Sequence, residues 1–469
     1  MHSRATSLAP ERFVLVTLAL GLGTFLTLFD VTAVVVAMPG ITNDLGFAVA
    51  GAAWVIEAYS LAFAAALLAS GALADRFGRR RSMLFGNAVF LIASIACGMS
   101  TNGPILLASR AVQGVGAAFM VTGAIALVSG AFPSHGQRAR AFGIIGVISG
   151  VAMALGPSLG GLLASWFGWR WIFYANVPCC LTLAIAVPQF VAETKDPDGR
   201  PLDPVGVALL TVSLGLVIDA LLRRDGSLAI RTACLVGSVT AALLFVLRQW
   251  HSSRPVLDPR VFATSTMAGV GALLTAIQFS YWAVLVYLPL FLSVGLMVSM
   301  EVAGVALLAA TLPMLLVPLI GGRFVTQWGW RRFFIVAFGI IAAGDVLLVF
   351  ATITANPAAC FVATIAGMLA IGVGAALANP QMSSVALALA PSTQAGMASA
   401  VTMIVRQAGF TISIAALGAT LGRTDTAEAF AAPFALAAFT ALVAAIAALV
   451  LLPAGPLEYE RPFRVIGDK

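Results

Sequence analysis

Charge is scarce in this chain. Of its 469 residues only 10% are Asp, Glu, Lys or Arg, against 61% hydrophobic, and the mean hydropathy is +1.02. A soluble domain of this size cannot spread its charges so thinly, so the composition implies an integral membrane protein. Lysine is nearly absent, with only Lys195 and Lys469. Neither follows a glycine-rich loop able to cradle phosphates, so uphill movement of a solute would have to draw on an ion gradient. The three histidines, His2, His135 and His251, have no second ligand nearby, and Cys97, Cys179, Cys180, Cys234 and Cys360 sit in or beside apolar runs without metal-ligand spacing. No metal, cofactor, redox centre or enzymatic activity is therefore expected. The net charge of +7 would suggest an acidic partner in a soluble protein. Here its placement around a bilayer explains it, and no nucleic acid is implied.

What is abundant is apolar runs of about 20 residues, the length that crosses a bilayer. Fourteen are legible: six between 13 and 191, two near 204–222 and 232–249, and six between 267 and 452. The expected architecture is an all-α membrane protein with fourteen transmembrane helices arranged six, two and six. Its parts would be a six-helix bundle (1–192), a linker with two extra helices (193–260), a second bundle (261–455) and a short tail (456–469). With both termini cytoplasmic, most Lys and Arg fall inside; Arg170, Arg223, Arg224, Arg231 and Arg423 fall outside, and Arg110 and Arg406 lie within helices. The opposite orientation inverts this bias. The first run is too long for a signal-peptide core and is expected to remain as the first helix.

Between the second and third runs stands Gly71-Ala72-Leu73-Ala74-Asp75-Arg76-Phe77-Gly78-Arg79-Arg80-Arg81, a basic clip that fixes orientation. Gly322-Arg323-Phe324-Val325-Thr326-Gln327-Trp328-Gly329-Trp330-Arg331-Arg332 repeats its glycine spacing and paired arginines. Two copies of one turn suggest a duplicated helix bundle, as in many secondary transporters. The pattern resembles the loop between the second and third helices of the major facilitator superfamily, G-x-L-a-D-R-x-G-R-R/K. The resemblance implies that Asp75, Arg76, Arg79 and Arg80, with Gly71 and Gly78, latch the two halves on the cytoplasmic side during alternating access.

Charges inside the runs default to function. Asp30 stands in Phe29-Asp30-Val31-Thr32-Ala33-Val34-Val35-Val36-Ala37-Met38-Pro39, similar to the first-helix signature of the fourteen-helix drug:proton antiporters, except that Val35 replaces the family asparagine. Glu57, after Trp54 and before Tyr59, resembles the second carboxylate of the quaternary-ammonium pumps of that subfamily. Arg110 opens Arg110-Ala111-Val112-Gln113-Gly114-Val115-Gly116-Ala117-Ala118, similar to the family's R-x-x-Q-G-x-G-A-A. By helical rise Asp30 lies roughly 12 Å, and Glu57 and Arg110 about 9 Å, from the outer ends of their helices. Charges at one depth can share one cavity, with desolvation opposed by Arg110, so that at least one carboxylate can trade a proton. The alternative is a static network that fixes helix packing.

The fifth run ends Leu155-Gly156-Pro157-Ser158-Leu159-Gly160-Gly161, small residues suited to close packing and similar to the antiporter motif G-P-x-x-G-G. Trp169-Arg170-Trp171-Ile172-Phe173-Tyr174-Ala175-Asn176-Val177-Pro178 resembles the start of helix six in the same subfamily. Asp219 is expected to pair with Arg223. Pro313 and Pro318 free carbonyls that favour bending. Asp345 is either a hydrogen-bonded neutral acid or a second cation or proton site, and Arg406 binds substrate or fixes structure. Ala395–Ala400 and Arg406-Gln407-Ala408-Gly409 also resemble subfamily signatures.

Together these imply a proton-coupled exporter of amphipathic, cationic small molecules in a bacterial inner membrane, monomeric, with protons, substrate and lipid as its partners. The cavity is expected to be largely apolar, with carboxylates supplying a preference for cations. The rival readings are transport of one metabolite, in or out, and a transport-dead membrane sensor.

Overall fold

The computed structural model describes residues 10–46, 49–132, 135–195, 203–222, 228–252, 265–389, 395–422 and 426–453, and every regular element among them is helical. Helices α1 (Pro10–Leu45), α2 (Val49–Phe77), α3 (Arg79–Gly98), α4 (Gly103–Ala131) and α5 (His135–Phe167) are followed by a short α6 (Arg170–Tyr174) and α7 (Asn176–Phe190). Helices α8 (Pro204–Leu222) and α9 (Leu228–His251) pack along each other. The second half runs through α10 (Ser265–Ile277), a π turn at Gln278–Trp282, α11 (Ala283–Leu290), a second π turn at Phe291–Gly295, then α12 (Met300–Ala306), α13 (Leu308–Thr311) and α14 (Pro313–Leu316). It ends with α15 (Pro318–Ile353), α16 (Pro357–Leu389), α17 (Ala395–Thr420) and α18 (Ala431–Leu451). The polar stretch 196–202, the boundary 253–264, Arg223, Arg224, Arg423, His2 and the tail 456–469 lie outside the described residues, as do the side chains of His135 and of 395–401.

Among the described residues twelve helices are long and apolar enough to cross a membrane, and Ala53–Leu67 with Ala69–Phe77, bent by 45°, makes a thirteenth if counted as one span. The apolar run expected over 302–320 is interrupted. Pro313 and Pro318 each begin a new helical piece, because proline offers no N–H to the preceding turn. The long α15 is likewise two helices merged across Gly329.

Glycine sets how closely the helices approach. A Cβ on Gly86 of α3 would lie 2.6 Å from the Gly116 carbonyl of α4, and one on Gly344 of α15 would lie 2.8 Å from the Gly367 carbonyl of α16, so both halves use the same backbone-to-backbone seam. The repeated turns also share a conformation. Gly78 has φ 116° and Gly329 has φ 75°, a region that excludes side chains at little less than the full steric cost. Asp345 stands sixteen residues beyond Gly329, as Ser94 stands sixteen beyond Gly78.

The halves meet along α5. At the end away from the Asp75 turn, Ser165 hydrogen-bonds Glu301 of α12, and the Ser158 hydroxyl donates to the Gly304 carbonyl at 3.0 Å. Further along, the Thr311 hydroxyl reaches the Ala154 carbonyl at 3.3 Å, and Gly150 faces Met314 and Leu315. Towards the Asp75 end the contact is lost: a Cβ on Gly146 or Gly143 would meet nothing within 4 Å. Along α5, among the described residues, the halves touch at one end and part at the other, while α2 still packs against α17.

Candidate functional site

Asp30, Arg110, Gln113, Asn176 and Ser94 form one buried network. Gly114 lets α4 press against α2, where a Cβ would lie 2.2 Å from the Tyr59 carbonyl, and this delivers Arg110 to the middle of the first half. Arg110 Nη1 donates to Asp30 Oδ2 at 2.5 Å and to Gln113 Oε1 at 2.6 Å, and Nε donates to the Val55 carbonyl at 3.0 Å. Asp30 Oδ1 accepts from Gln113 Nε2 at 2.9 Å and from Asn176 Nδ2 at 2.8 Å, while Gln113 Nε2 also reaches Ser94 Oγ at 2.9 Å. The guanidinium carbon lies 4.4 Å from the Tyr59 ring centroid, a cation–π contact. Both charged side chains are 0% exposed. Both Asp30 oxygens are satisfied, whereas Arg110 Nη2 is buried without a hydrogen-bond partner among the described residues; removal of either member of the pair leaves a stranded charge.

Of the three charges expected at one depth, the structure joins Asp30 and Arg110. Glu57 is buried two residues beyond Val55, yet neither of its oxygens has a hydrogen-bond partner among the described residues. Asp345 is in the same condition: fully buried on α15, with neither carboxyl oxygen bonded. It occupies the repeat position of Ser94 but, among the described residues, without a basic side chain in ion-pairing distance. Asp219 Oδ2 accepts a long contact from Cys234 Sγ at 3.7 Å; its expected partner Arg223 lies outside the described residues.

A cavity of about 410 Å³ lies between the halves on the parted side. Its walls include Thr27, Val31, Tyr59, Ser60, Phe63 and Val121 from the first half and Gln278, Trp282, Thr402, Arg406, Gln407 and Phe410 from the second. Gln407 Nε2 donates to the Ser60 carbonyl at 3.3 Å, bridging α17 and α2 across the cavity wall. Arg406 Nη2 donates to Asn379 Oδ1 at 3.0 Å. Neither Asp30 nor Glu57 is among the lining residues. Asp30 is enclosed by its own partners, and the cavity-facing side chains of α2 are Tyr59, Ser60 and Phe63 instead.

The Gly156-Pro157-Ser158-Leu159-Gly160-Gly161 stretch has two working faces. Gly156 and Gly160 face α1, where added Cβ atoms would lie 2.0 Å from Thr32 Oγ1 and 2.8 Å from Ala33 Cα. Pro157 and Gly161 face α12, within 3.0 Å and 3.4 Å of a Cβ on Gly304. This turn therefore wedges α5 between the helix that carries Asp30 and the opposite half.

At the other end Asp75 pairs with Arg79, Nη2 to Oδ1 at 2.8 Å. Glu193 accepts from the backbone N–H of Arg80 at 2.9 Å and of Arg81 at 3.1 Å, capping α3 across Gly78, and Arg80 Nη1 donates to the Val191 carbonyl at 3.1 Å. Arg76 is exposed, with its guanidinium 5.6 Å from the Phe77 ring, and Gly71 faces open space. All of these partners belong to the first half. Among the described residues these side chains make no contact with the second half, so the cross-half latch implied by the resemblance is not seen among them.

Sequence reasoning assigned no role to Gln113, Asn176, Ser94 and Tyr59, although all but Ser94 stand in the motifs quoted above. Gln113 had a signal, since it follows Arg110 by one helical turn and so shares its face. Among the described residues no group of three or more His, Cys, Asp or Glu is placed to hold a metal ion.

The sequence profile of the Major Facilitator Superfamily matches residues 20–285. The chain is 31% identical over 411 residues to "Multidrug resistance protein Stp" of Mycobacterium tuberculosis, covering 87% of this chain and 76% of that one. It is 31% identical over 413 residues to "Methylenomycin A resistance protein" of Bacillus subtilis, covering 86% of each. Among solved structures, a D-xylose-proton symporter superposes with a TM-score of 0.68 at 15% identity, covering 94% of this chain and 98% of that one. A peptide transporter bound to sulfate superposes with a TM-score of 0.70 at 16% identity, covering 95% of each, and both show likeness of fold.

Proposed function

The chain belongs to the Major Facilitator Superfamily, and on that premise we propose that it exports amphipathic drugs or toxic small molecules in exchange for protons, by alternating access. It is a multi-pass membrane transporter and not an enzyme. The names of its relatives, which are resistance proteins, support drug export. The observation that carries the mechanism is the Asp30–Arg110 pair on α1 and α4, behind the wall of a cavity open at one end.

In this reading the chain has fourteen membrane helices, six and six around the α8–α9 pair, with both termini and the parted end facing the cytoplasm. The bend in α2 and the pieces α12–α14 supply the two further spans. Substrate enters from the cytoplasm while Arg110, Gln113 and Asn176 hold Asp30. When the α5–α12 seam opens and the other end closes, water reaches Asp30, which trades a proton as its contacts with Arg110 loosen. Glu57 and Asp345, buried without hydrogen bonds, trade protons in the same cycle. Asp75, Arg76, Arg79 and Arg80 engage the second half when the cytoplasmic end shuts. Substrate and proton must each bind one state better than the other for exchange to follow.

The test uses proteoliposomes loaded with a pH-sensitive dye and challenged in turn with ethidium, N-phenylnaphthylamine and anilinonaphthalene sulfonate. Proton movement triggered by at least one compound in wild-type protein, and abolished in Asp30→Asn, supports coupled exchange. Movement of a compound down its own gradient without protons would instead make this a uniporter.

A further inference from the structure

We infer that the ligand of the central cavity is an amphipathic anion, a molecule with one carboxylate or sulfonate on an apolar, aromatic body. The inference rests on the transporter reading and names the substrate class for that same cavity, replacing the preference for cations expected from the sequence.

The cavity's charge is of one sign. Among the described residues that line it there is no Asp or Glu, and the one charged side chain is that of Arg406. Arg110, buried, and Arg406, half-buried on the cavity wall, differ in what answers their charge. Arg110 is met by the carboxylate of Asp30 at 2.5 Å and is sealed from the cavity. Arg406 is met by the neutral amide oxygen of Asn379 at 3.0 Å, and among the described residues no carboxylate lies within ion-pairing distance of it. A guanidinium has five N–H donors in a planar fork, suited to two parallel bonds with a carboxylate or sulfonate. Facing a cavity walled by low-dielectric side chains, its field on a ligand is far stronger than in open water.

The rest of the wall suits the body of such a ligand. Tyr59, Phe63, Trp282 and Phe410 present aromatic surface around the cavity. Ser60, Gln278 and Gln407 add neutral polar groups without adding negative charge. A cationic ligand would find aromatic faces but no carboxylate, and would have to sit beside an unneutralised guanidinium. The first-half carboxylates nearest the cavity in depth, Asp30 and Glu57, are both 0% exposed.

The test is equilibrium binding to the full chain in phosphatidylcholine nanodiscs, without any gradient, so that a failure of proton coupling cannot mimic a failure here. Two fluorescent probes share one anilinonaphthalene body and differ by a sulfonate: anilinonaphthalene sulfonate and N-phenylnaphthylamine. Ethidium serves as the cation, and empty nanodiscs give the lipid background. Wild-type protein should bind the sulfonate more tightly than ethidium. Arg406→Gln should weaken the sulfonate by about ten- to a hundredfold, the worth of a charge-assisted hydrogen bond, with N-phenylnaphthylamine nearly unchanged and Arg406→Lys intermediate. Equal losses for both naphthyl probes in a folded variant, or tighter wild-type binding of ethidium, overturns the inference. Should Arg406→Gln not fold, the wild-type ranking of sulfonate against ethidium decides alone. Repeating the titration with phosphatidylglycerol present separates the sources of the anion: competition by that lipid, lost in Arg406→Lys or Arg406→Gln, would assign the site to a lipid headgroup and overturn the soluble ligand.

Discussion

Arg110 and Asp30 come from helices eighty residues apart in sequence and meet at 2.5 Å with no exposed surface on either side chain. Removing one partner strands the other. Asp30→Ala should lower stability by about 3–5 kcal/mol, read as a fall in melting temperature in detergent. Asp30→Asn keeps the shape and should lose less stability but all gradient-driven transport. An Asp30→Asn variant that still couples drug to protons removes this pair from the mechanism.

Gly156→Ala should disable the protein through geometry alone. Its Cβ would fall 2.0 Å from Thr32 Oγ1 and 2.9 Å from Thr32 Cβ, pushing α1 away from α5. Overpacking of this kind costs about 1–3 kcal/mol. Thr32→Ala in the same chain should recover part of the melting temperature, since it removes the nearer atom and leaves the second. Gly143→Ala is the control: nothing lies within 4 Å of its Cβ, so stability should hold or rise by up to about 1 kcal/mol from helix propensity.

Asp203 offers a pH-dependent contact outside the spans. Burial pushes its carboxyl up, but hydrogen bonds from the Gly206 N–H, Arg248 and Gln249, with the Arg248 charge, outweigh this and hold it below its ordinary value. A lowered folded value means the stabilisation is fully present above the unfolded value of about 3.9 and is lost as pH falls through the folded one. Amide exchange in the first turn of α8 should therefore accelerate on acidification. In Asp203→Asn that acid-induced change should disappear; a change that persists would assign it to another group.

Asp345→Leu separates packing from proton traffic. Replacing a buried, unbonded carboxyl by an apolar side chain removes a desolvation penalty of about 1–3 kcal/mol, so the melting temperature should rise. Gradient-driven transport should fall if Asp345 exchanges protons. A more stable variant with wild-type transport would leave Asp345 without a part in coupling.

Much of the fold was legible because membrane physics writes it into composition: apolar length marks spans, and glycine at 78 and 329 marks turns that other residues resist. The Asp30–Arg110 pair was legible from depth, since intramembrane charges must find each other. Glu57 shows the limit of that argument, because depth fixes height along the axis but not which face of α2 points where. Gln113, Asn176 and Ser94 were harder, since neutral polar residues in helices carry no signal until a charge beside them is known. The cross-half seam of Ser165 with Glu301 and Ser158 with Gly304 was not legible at all. It pairs residues more than a hundred positions apart through a hydroxyl, a carboxylate and a carbonyl, and nothing in their local sequence announces it.

Sixteen residues past its left-handed glycine, each half holds a buried polar group, a serine in one and a carboxylic acid in the other. The halves share a skeleton but divide the labour. The first carries a carboxylate already married to an arginine; the second carries one that is single and lends its spare arginine to the cavity. A protein assembled from two copies of the first half would reproduce the seams and turns yet face its cargo with no charge, and one assembled from two copies of the second would lose the Asp30 pair. The two halves are alike in their seams and turns but not exchangeable in their charges.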